Sequence, residues 1–490
     1  MIKERSILKK KLKYILLTII PIFTVTTLLT TAAANPPDEI RNIFPDPVLA
    51  DEVAMNLGVD VDAVVTDDDL LDVVVLNFDE SQRITDFTGI ERLVNLEELF
   101  LDYQGLTSLS PISSLENLVI LNVEGNAITD LSYLAGMVYL EELMLGGNPI
   151  DHVDDLAGLS NLRVLSLFQT NLTSLSGFSG MTQLEVLDLT EIDVDVSEFV
   201  HLVGLVNLRN LNLSHIEMDD IGFVSGLVAL ERLVLVGNRY IRDLSPLSGL
   251  TDLVFLEVSW NQVDDLAALT PLTSLEELVL TVNEIEDVSS LNSLPNLQHV
   301  NLSGNRITDI RSLSGVNIPS MDMSYQWVQK EVARVGDDVT FVVYGLEGVA
   351  LPLEVAFGNG AYADGAVIWH EAGFSELAWS LSEGSLVFSG SMSQNVWDRD
   401  VEIEDEETDV DDGDGTDDLE VDEGGATEET DSTEDLEGEG DGGSDDEGAD
   451  SEGNQLPETG YDAMVSTFVI SITLISVGFM LSYKKKASKL

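Results

Sequence analysis

A phrase of about 22 residues recurs from Asn95 to Val316, and it constrains the fold more than any other feature of the chain. Its copies start at ten residues, namely Asn95, Asn117, Tyr139, Asn161, Gln183, Asn207, Ala229, Asp252, Ser274 and Asn296. A degenerate copy near Asp72 brings the number to eleven. Counted from the start of a copy, positions 2, 5, 7, 12, 15, 18 and 21 are mostly Leu, Ile or Val. One unit of this length cannot bury its apolar face alone, so the period predicts a stack of coils that share one core.

Position 10 of the copy explains how the coils are joined. It is Asn in six copies, at Asn126, Asn148, Asn238, Asn261, Asn283 and Asn305. Positions 5 and 7 alternate as strand residues do, and an Asn just after the strand can satisfy turn backbone groups of neighbouring coils. The pattern is a leucine-rich repeat and predicts an α/β solenoid, a curved array of about eleven 22-residue repeats over residues 72–316. The alternative is an amphipathic helical array, which eleven copies in register disfavour.

The segments before the repeats are predicted to be a signal peptide and a cap. Residues 1–34 combine a lysine-rich start, an apolar core from Tyr14 to Leu29 and the A-x-A site Ala32–Ala34, which predicts a secretory signal peptide. An uncut membrane anchor is the alternative. In residues 35–71, Asp46 followed by Pro47 predicts the start of a helix, and we expect a helical cap that covers the open first coil.

Two regions of different composition follow the repeats. Residues 317–396 contain short β-like runs separated by glycine-rich turns, which predicts a small β-sandwich. Residues 397–455 form an acidic spacer, in which Glu402–Glu452 holds 27 acidic residues and no basic one. Such a segment cannot bury enough apolar surface to fold, so we expect it to be disordered.

Charge and composition exclude several functions. The net charge of −66 makes nucleic acid a poor partner, and we expect salt to stabilise the folded chain by screening self-repulsion. The chain has no Cys, and its five His residues lie in no metalloprotease motif. Walker and nucleophile-elbow motifs are also missing from the sequence. The sequence therefore predicts no enzyme activity, no cofactor and no metal site.

The last 35 residues, 456–490, resemble a Gram-positive cell-wall sorting signal. They begin with the pentapeptide Leu456, Pro457, Glu458, Thr459 and Gly460, and an apolar span at Met464–Tyr483 and a lysine cluster follow. The resemblance implies that a sortase cuts between Thr459 and Gly460 and joins Thr459 to peptidoglycan. The protein would then face outward from the cell wall. A plain single-pass membrane protein is the alternative.

The remainder resembles the internalin family of bacterial surface proteins. The piece Ile43–Ala50 looks like that family's cap, and the 22-residue repeats carry phrases such as Ile128–Ser132. The predicted β-sandwich, with Val367–Trp369 in a familiar place, is similar to the family's Ig-like domain. The resemblance implies an N-terminal helical cap, a C-terminal Ig-like β-sandwich and a role in adhesion.

The candidate ligand site is the concave face of the repeats. Large aromatics there fall in two groups, Phe100, Tyr103 and Phe168 in the N-terminal half and Phe255 and Trp260 nearer the other end. Exposed aromatics among charges are typical interface anchors, and the acidic surroundings favour a protein ligand with a basic patch. In the alternative, these rings only pack against neighbouring apolar side chains. Two other functions stay open, a structural or matrix protein and a carbohydrate-binding protein of the cell envelope.

Overall fold

The structure, a computed structural model, describes residues 35–78 and 81–398. The predicted signal peptide (1–34), the sorting signal (456–490) and the acidic spacer beyond residue 398 lie outside the described residues. Within the two described ranges, no helix has the length and apolar character needed to cross a membrane.

The eleven strands of the repeats form one parallel ladder. They are β3 (Val75–Asn77), β4 (Glu98–Phe100), β5 (Ile120–Asn122), β6 (Glu142–Met144), β7 (Val164–Ser166), β8 (Val186–Asp188), β9 (Asn210–Asn212), β10 (Arg232–Val234), β11 (Phe255–Glu257), β12 (Glu277–Val279) and β13 (His299–Asn301). Each strand pairs with the next in the same register, as Leu121 of β5 does with Leu143 of β6. The repeats therefore stack without slippage, and their central leucines form one continuous buried row.

Short 3-10 helices close the coils on the side away from the strands. They are Ile90–Arg92, Ser110–Ile112, Ser132–Leu134, Asp154–Leu156, Ser176–Phe178, Val196–Leu202, Gly222–Gly226, Ser245–Leu247, Ala267–Leu269, Ser289–Ser293 and Arg311–Leu313. A parallel strand ladder opposite 3-10 helices is a leucine-rich-repeat solenoid, so the predicted solenoid is confirmed. The helical array is wrong, because each coil consists of a short strand and a 3-10 helix.

The predicted role of the position-10 Asn is also confirmed. The amide nitrogen of Asn126 donates to the carbonyl of Leu101 in the preceding coil and to that of Val123 in its own coil, at 2.9 and 2.7 Å. Its amide oxygen accepts from the backbone N–H of Leu106 at 2.9 Å. Gln326 makes the same set of bonds after the last repeat, so the coil pattern continues into the following strand.

In the described part of the N-terminal region, residues 35–70 form three α-helices and two short strands. In chain order they are β1 (Asp38–Glu39), α1 (Ile40–Ile43), α2 (Pro47–Leu57), β2 (Val64–Val65) and α3 (Asp67–Leu70). Asp46 caps α2 as predicted, because its side chain accepts from the backbone N–H groups of Val48 and Leu49. The same carboxylate accepts from the backbone N–H of Thr85, at 2.8 Å. One buried side chain thus ties the helices to the first coil.

Between the repeats and residue 398, where the described residues end, the chain forms seven strands. They are β14 (Ser320–Arg334), β15 (Asp338–Thr340), β16 (Glu354–Phe357), β17 (Gly360–Ala363), β18 (Ala366–Trp369), β19 (Gly373–Glu383) and β20 (Leu386–Trp397). Strand β14 pairs with β13 and extends the ladder, in the order β16-β19-β20-β14, to fifteen strands. Strands β15, β18 and β17 form a separate antiparallel sheet. The indole N–H of Trp369 in that sheet donates to Gln394 of β20 at 2.9 Å, so the two sheets are in contact.

Candidate ligand-binding face

The strand face consists of the outward side chains of β3–β13. In a strand such as Glu98–Phe100 the central leucine is buried, whereas the residues on either side of it are half-buried. This alternation follows from the pleat, which sends successive side chains to opposite faces. Residues at positions 4 and 6 of a repeat therefore line a surface about 50 Å long, at about 4.8 Å per coil.

The five predicted aromatics have different environments on this face. Tyr103 is 54% exposed, and Phe100, Phe168 and Trp260 are half-buried. Phe255 is only 9% exposed, because the guanidinium of Arg232 lies 3.4 Å from the centre of its ring. For Phe255, packing within the face therefore accounts for most of the ring surface.

Two of the rings lie over glycines of a neighbouring coil. Any side chain at Gly146 would collide with the Phe168 ring, and any at Gly125 would collide with the ring of Tyr103. Phe168 and Trp260 are four coils apart, about 20 Å. The structure thus leaves the predicted residues in two separate groups.

Sequence reasoning placed Tyr103 and Trp260, both at the ninth position of the repeat just before position 10, on the concave face, but it did not identify the backbone conformation of that position. The backbone there is left-handed, with φ between 52° and 71°. Four copies place glycine at this position, at Gly125, Gly147, Gly237 and Gly304. Six copies and β14 carry a side chain instead, at Tyr103, Gln169, Glu191, His215, Trp260, Val282 and Tyr325. We call these seven residues the edge row. The recurring Gly-Asn pair was the signal in the sequence that could have revealed it.

Each residue of the edge row is held in a conformation that disfavours a side chain. A non-glycine residue in the left-handed region costs about 1–2 kcal/mol relative to the right-handed one. Hydrogen bonds fix the backbone, since the N–H at the ninth position donates to the carbonyl at the eighth position of the next coil, as Tyr103 does to Glu124 at 2.8 Å. The same bond recurs from Trp260 to Thr281 at 2.8 Å. The coil stack imposes this backbone whichever residue stands there.

Three carboxyls of the strand face are half-buried and have raised pKa values. Burial, with the nearby charges of Asp102 and Asp188, raises the pKa of Glu124 to about 7. Burial likewise raises the pKa of Glu257 to about 7, although the positive charge of Arg232 opposes the shift. The pKa of Asp188 is raised by burial, in spite of hydrogen bonds from Thr190. The face therefore holds acids that folding makes harder to ionise.

Arginines along the edges of the face pair with acids of an adjacent coil. Arg163 pairs with Glu185, and Arg209 pairs with Glu231 at 2.5 Å. The same arrangement recurs at Arg239 with Glu217 and at Arg306 with Glu284. These pairs cancel much of the positive charge and leave the face with an excess of carboxylates.

Residues 35–78 and 81–398 contain no group of three or more His, Asp or Glu side chains that could hold a metal ion. The arrangement of the strand face suits non-covalent recognition. It offers rigid rings, carboxylates and a fixed backbone over many coils.

Two family models match parts of the chain. The model described as the N terminal of bacterial adhesion/invasion proteins matches residues 30–70, and the model of two copies of leucine-rich repeats matches residues 273–315. No curated protein matches this chain.

Two solved structures from Listeria monocytogenes are similar to this chain. An internalin (inlF) is 32% identical with a TM-score of 0.52, and the match covers 61% of this chain and 94% of that one. Internalin C2 is 30% identical with a TM-score of 0.34, and the match covers 55% of this chain and 97% of that one. Both matches take in almost the whole of the solved chain.

Proposed function

The chain belongs to the internalin family, and from that premise we propose that it is a cell-wall-anchored adhesin that binds a protein ligand through its strand face. The observation that carries the proposal is the presence of aromatic rings on an acidic surface. Phe100, Tyr103 and Phe168 form the N-terminal anchor group, and Trp260, supported by the largely buried Phe255, forms the C-terminal one. Rings of this kind typically carry much of the binding energy of a protein interface.

The excess of carboxylates indicates the charge of the ligand. Since the edge arginines are paired with acids, a ligand with a basic patch would find complementary charge on the face. Such a ligand would associate faster at low ionic strength, because salt screens the attraction. Nucleic acid would be repelled by the same charge.

The segments at either end of the repeats receive supporting roles in this proposal. Residues 35–71 would be a helical cap, supported by α2 and by the bonds of Asp46 to the first coil. Residues 317–396 would be an Ig-like β-sandwich, supported by the contact between Trp369 and Gln394 across two sheets. Both would cover the ends of the solenoid core, which water would otherwise reach.

Anchoring is the second part of the proposal. The signal peptide at 1–34 would direct secretion, and a sortase would join Thr459 to peptidoglycan, with the acidic spacer 397–455 holding the repeats away from the wall. Family membership and the order of these motifs in the sequence support this. Replacing Thr459 with Ala should move the protein from the wall fraction to the membrane or the medium. Equal wall-linked protein in variant and parent would contradict the anchoring proposal.

The binding proposal is tested with arrays of purified proteins and of glycans. The full-length protein should bind at least one protein spot, and the double variant with Phe168→Ala and Trp260→Ala should lose it. Tyr133→Ala is the matched control, since Tyr133 is 37% exposed on a 3-10 helix of the solenoid, away from the strand face. Binding to glycan spots alone would favour the carbohydrate-binding alternative, and no binding to either array would favour the structural one. Circular dichroism checks that each variant is folded.

A further inference from the structure

The edge row contains a residue that extends the strand face beyond the repeats. Counted from Asn317, Tyr325 stands at the ninth position of a further coil and has φ of 55°. It is 69% exposed, so its ring contributes little to the core. The next residue, Gln326, makes the same hydrogen bonds as the position-10 Asn of the repeats. These bonds hold the backbone of Tyr325 in place.

A second exposed ring lies beside Tyr325. Trp327 is 45% exposed, and its backbone N–H donates to the carbonyl of Asn305 at 2.8 Å. The guanidinium of Arg306 lies 5.1 Å from the centre of the indole and pairs with Glu284 at 3.0 Å. Tyr, Trp and Arg are the residue types most enriched at interface hot spots, and here Arg306 contacts Trp327, which stands two residues after Tyr325.

The backbone at Tyr325 argues for a role in binding rather than in folding. Glycine would fit this conformation without strain, and Gly304 occupies the same position in the preceding coil. A bulky side chain that is 69% exposed in this conformation adds little to the stability of the fold, so the ring of Tyr325 is available to a ligand.

We infer that Tyr325 and Trp327, with Trp260 three coils before Tyr325, form an aromatic edge that binds lysine or arginine side chains of the protein ligand. This rests on the proposed function and deepens it by naming the ligand's chemistry and two further contact residues. A cation over an aromatic face is attracted by the ring quadrupole. The carboxylate of Asp322, which pairs with Asn301 of β13 and lies on the strand face, adds attraction for the same charges.

The experiment compares two substitutions of one residue in the full-length protein, purified in a mild nonionic detergent. Tyr325→Ala and Tyr325→Gly both remove the ring, but only the glycine relieves the left-handed strain. The probe is a peptide of alternating lysine and alanine, and a peptide of alternating glutamate and alanine is its control. Val282→Gly is the matched control variant, because Val282 is in the edge row but carries no ring.

Both Tyr325 variants should bind the lysine peptide about threefold to fivefold more weakly than the parent, as expected for the loss of one cation–ring contact. Val282→Gly should bind it as the parent does, and the glutamate peptide should not bind at all. In thermal unfolding, Tyr325→Gly should melt at or above the parent's temperature and above Tyr325→Ala.

Several results would overturn the inference. The inference is wrong if both Tyr325 variants bind the lysine peptide as tightly as the parent does. It is also wrong if the parent does not bind this peptide, or if Tyr325→Gly melts at a lower temperature than Tyr325→Ala. If the double variant with Phe168→Ala and Trp260→Ala no longer binds the protein ligand while the Tyr325 variants still bind it, the inference fails and the proposed function stands. If neither set of variants weakens binding, the strand face itself is not the site.

Discussion

Carboxyl groups on the strand face and carboxyl groups beside the 3-10 helices respond to folding in opposite directions. Burial raises the pKa of Glu124 and of Glu257 on the face, in each case to about 7. Beside the 3-10 helices, hydrogen bonds from the backbone N–H and hydroxyl of Ser245 lower the pKa of Asp243. Ionised carboxyl groups therefore destabilise the folded state on one side of the solenoid and stabilise it on the other.

The 3-10 side shows a repeated reason for its acids. An Asp accepts a hydrogen bond from the backbone N–H two residues later, at the start of the helix, as Asp130 does from Ser132 at 2.9 Å. The pattern recurs at Asp195, Asp265, Asp287 and Asp309. These acids satisfy donors that the turn leaves unpaired, so they belong to the scaffold.

Among the strand-face acids, Asp188 accepts one such bond, from the backbone N–H of Thr190, but the raised pKa values of Glu124 and Glu257 are opposed by no backbone donor. Glu124 is contacted by Ser166, whose hydroxyl donates at 3.5 Å, and it lies near the charges of two other acids. Retaining charge where it destabilises the fold is typical of binding surfaces. The contrast supports the proposal that the strand face, rather than the 3-10 side, meets a ligand.

The largest effect is expected at Asp46, whose carboxylate accepts five hydrogen bonds. Burial is the largest single influence and raises its pKa, but bonds from Thr85, Leu49 and Asp86 together lower it. Asp46→Ala removes the helix cap and the link to the first coil, and should lower the free energy of unfolding by about 3 kcal/mol. Urea unfolding at pH 7 measures this. Asp51→Ala, at an exposed position of the same helix, is the control and should change stability by less than about 0.5 kcal/mol.

The pH dependence of stability provides the next test. An acid whose pKa is raised on folding binds its proton more tightly when folded, so stability falls as pH rises from the unfolded value to the folded one. Because the pKa values of Glu124 and Glu257 are about 7 in the folded protein, the loss of stability occurs between about pH 4.5 and pH 7. We expect the parent to lose about 2 kcal/mol from pH 5 to pH 8, after allowance for partial exposure.

Substitution identifies the acids responsible for that loss. The double variant with Glu124→Gln and Glu257→Gln should match the parent at pH 5 and exceed its stability at pH 8, because glutamine does not ionise. Glu141→Gln, at an exposed position beside β6, is the control and should keep the parent's slope. If stability falls with pH as steeply in the double variant as in the parent, groups other than Glu124 and Glu257 cause the loss.

The sequence predicted the scaffold well because the scaffold depends on local and repeated requirements. Apolar spacing identified the strand positions such as Leu121, and the need to pair turn backbone groups gave Asn126 its role. The Asp46–Pro47 pair gave the start of α2 for the same reason. Each of these depends on hydrogen bonds and burial that every coil must provide.

The strand face was less predictable because its properties depend on side chains from neighbouring coils. The burial of Phe255 depends on Arg232, one coil away, and the raised pKa of Glu124 depends on Asp102 and Asp188. The left-handed backbone of Tyr325 is set by bonds of the following residue, Gln326. None of these relations follows from the spacing of a single repeat.

A smaller effect is expected at Asp243, with a sign opposite to that of the face acids. Its lowered pKa means that its stabilisation is present above the unfolded pKa and is lost as the solution becomes more acidic than pH 4. Asp243→Ala should lower the free energy of unfolding by about 1 kcal/mol at pH 7, and the effect should shrink steadily as the pH falls below 4. Asp243→Asn should retain most of the stability, since the amide oxygen still accepts from Ser245. The exposed Asp219→Ala is the control in the same urea series.

Salt should produce the smallest difference, and it separates the two classes of acid by mechanism. At pH 8 the ionised Glu124 is repelled by Asp102 and Asp188, and this repulsion weakens as the Debye length falls from ~10 Å at 0.1 M to ~3 Å at 1 M NaCl. Short hydrogen bonds such as that from Ser245 to Asp243 are screened much less. The parent should therefore gain stability with NaCl at pH 8, and Glu124→Gln should gain about 0.5 kcal/mol less.

The salt series is measured by thermal unfolding of the full-length protein at pH 8 and again at pH 5. At pH 5 Glu124 is protonated, so parent and Glu124→Gln should respond to salt alike. Asp243→Ala should show the parent's salt response at pH 8, because its lost interaction is a hydrogen bond. If the melting temperature of the parent does not rise with NaCl at pH 8, repulsion between acids is not what destabilises the strand face. The raised pKa of Glu124 would then come from burial alone.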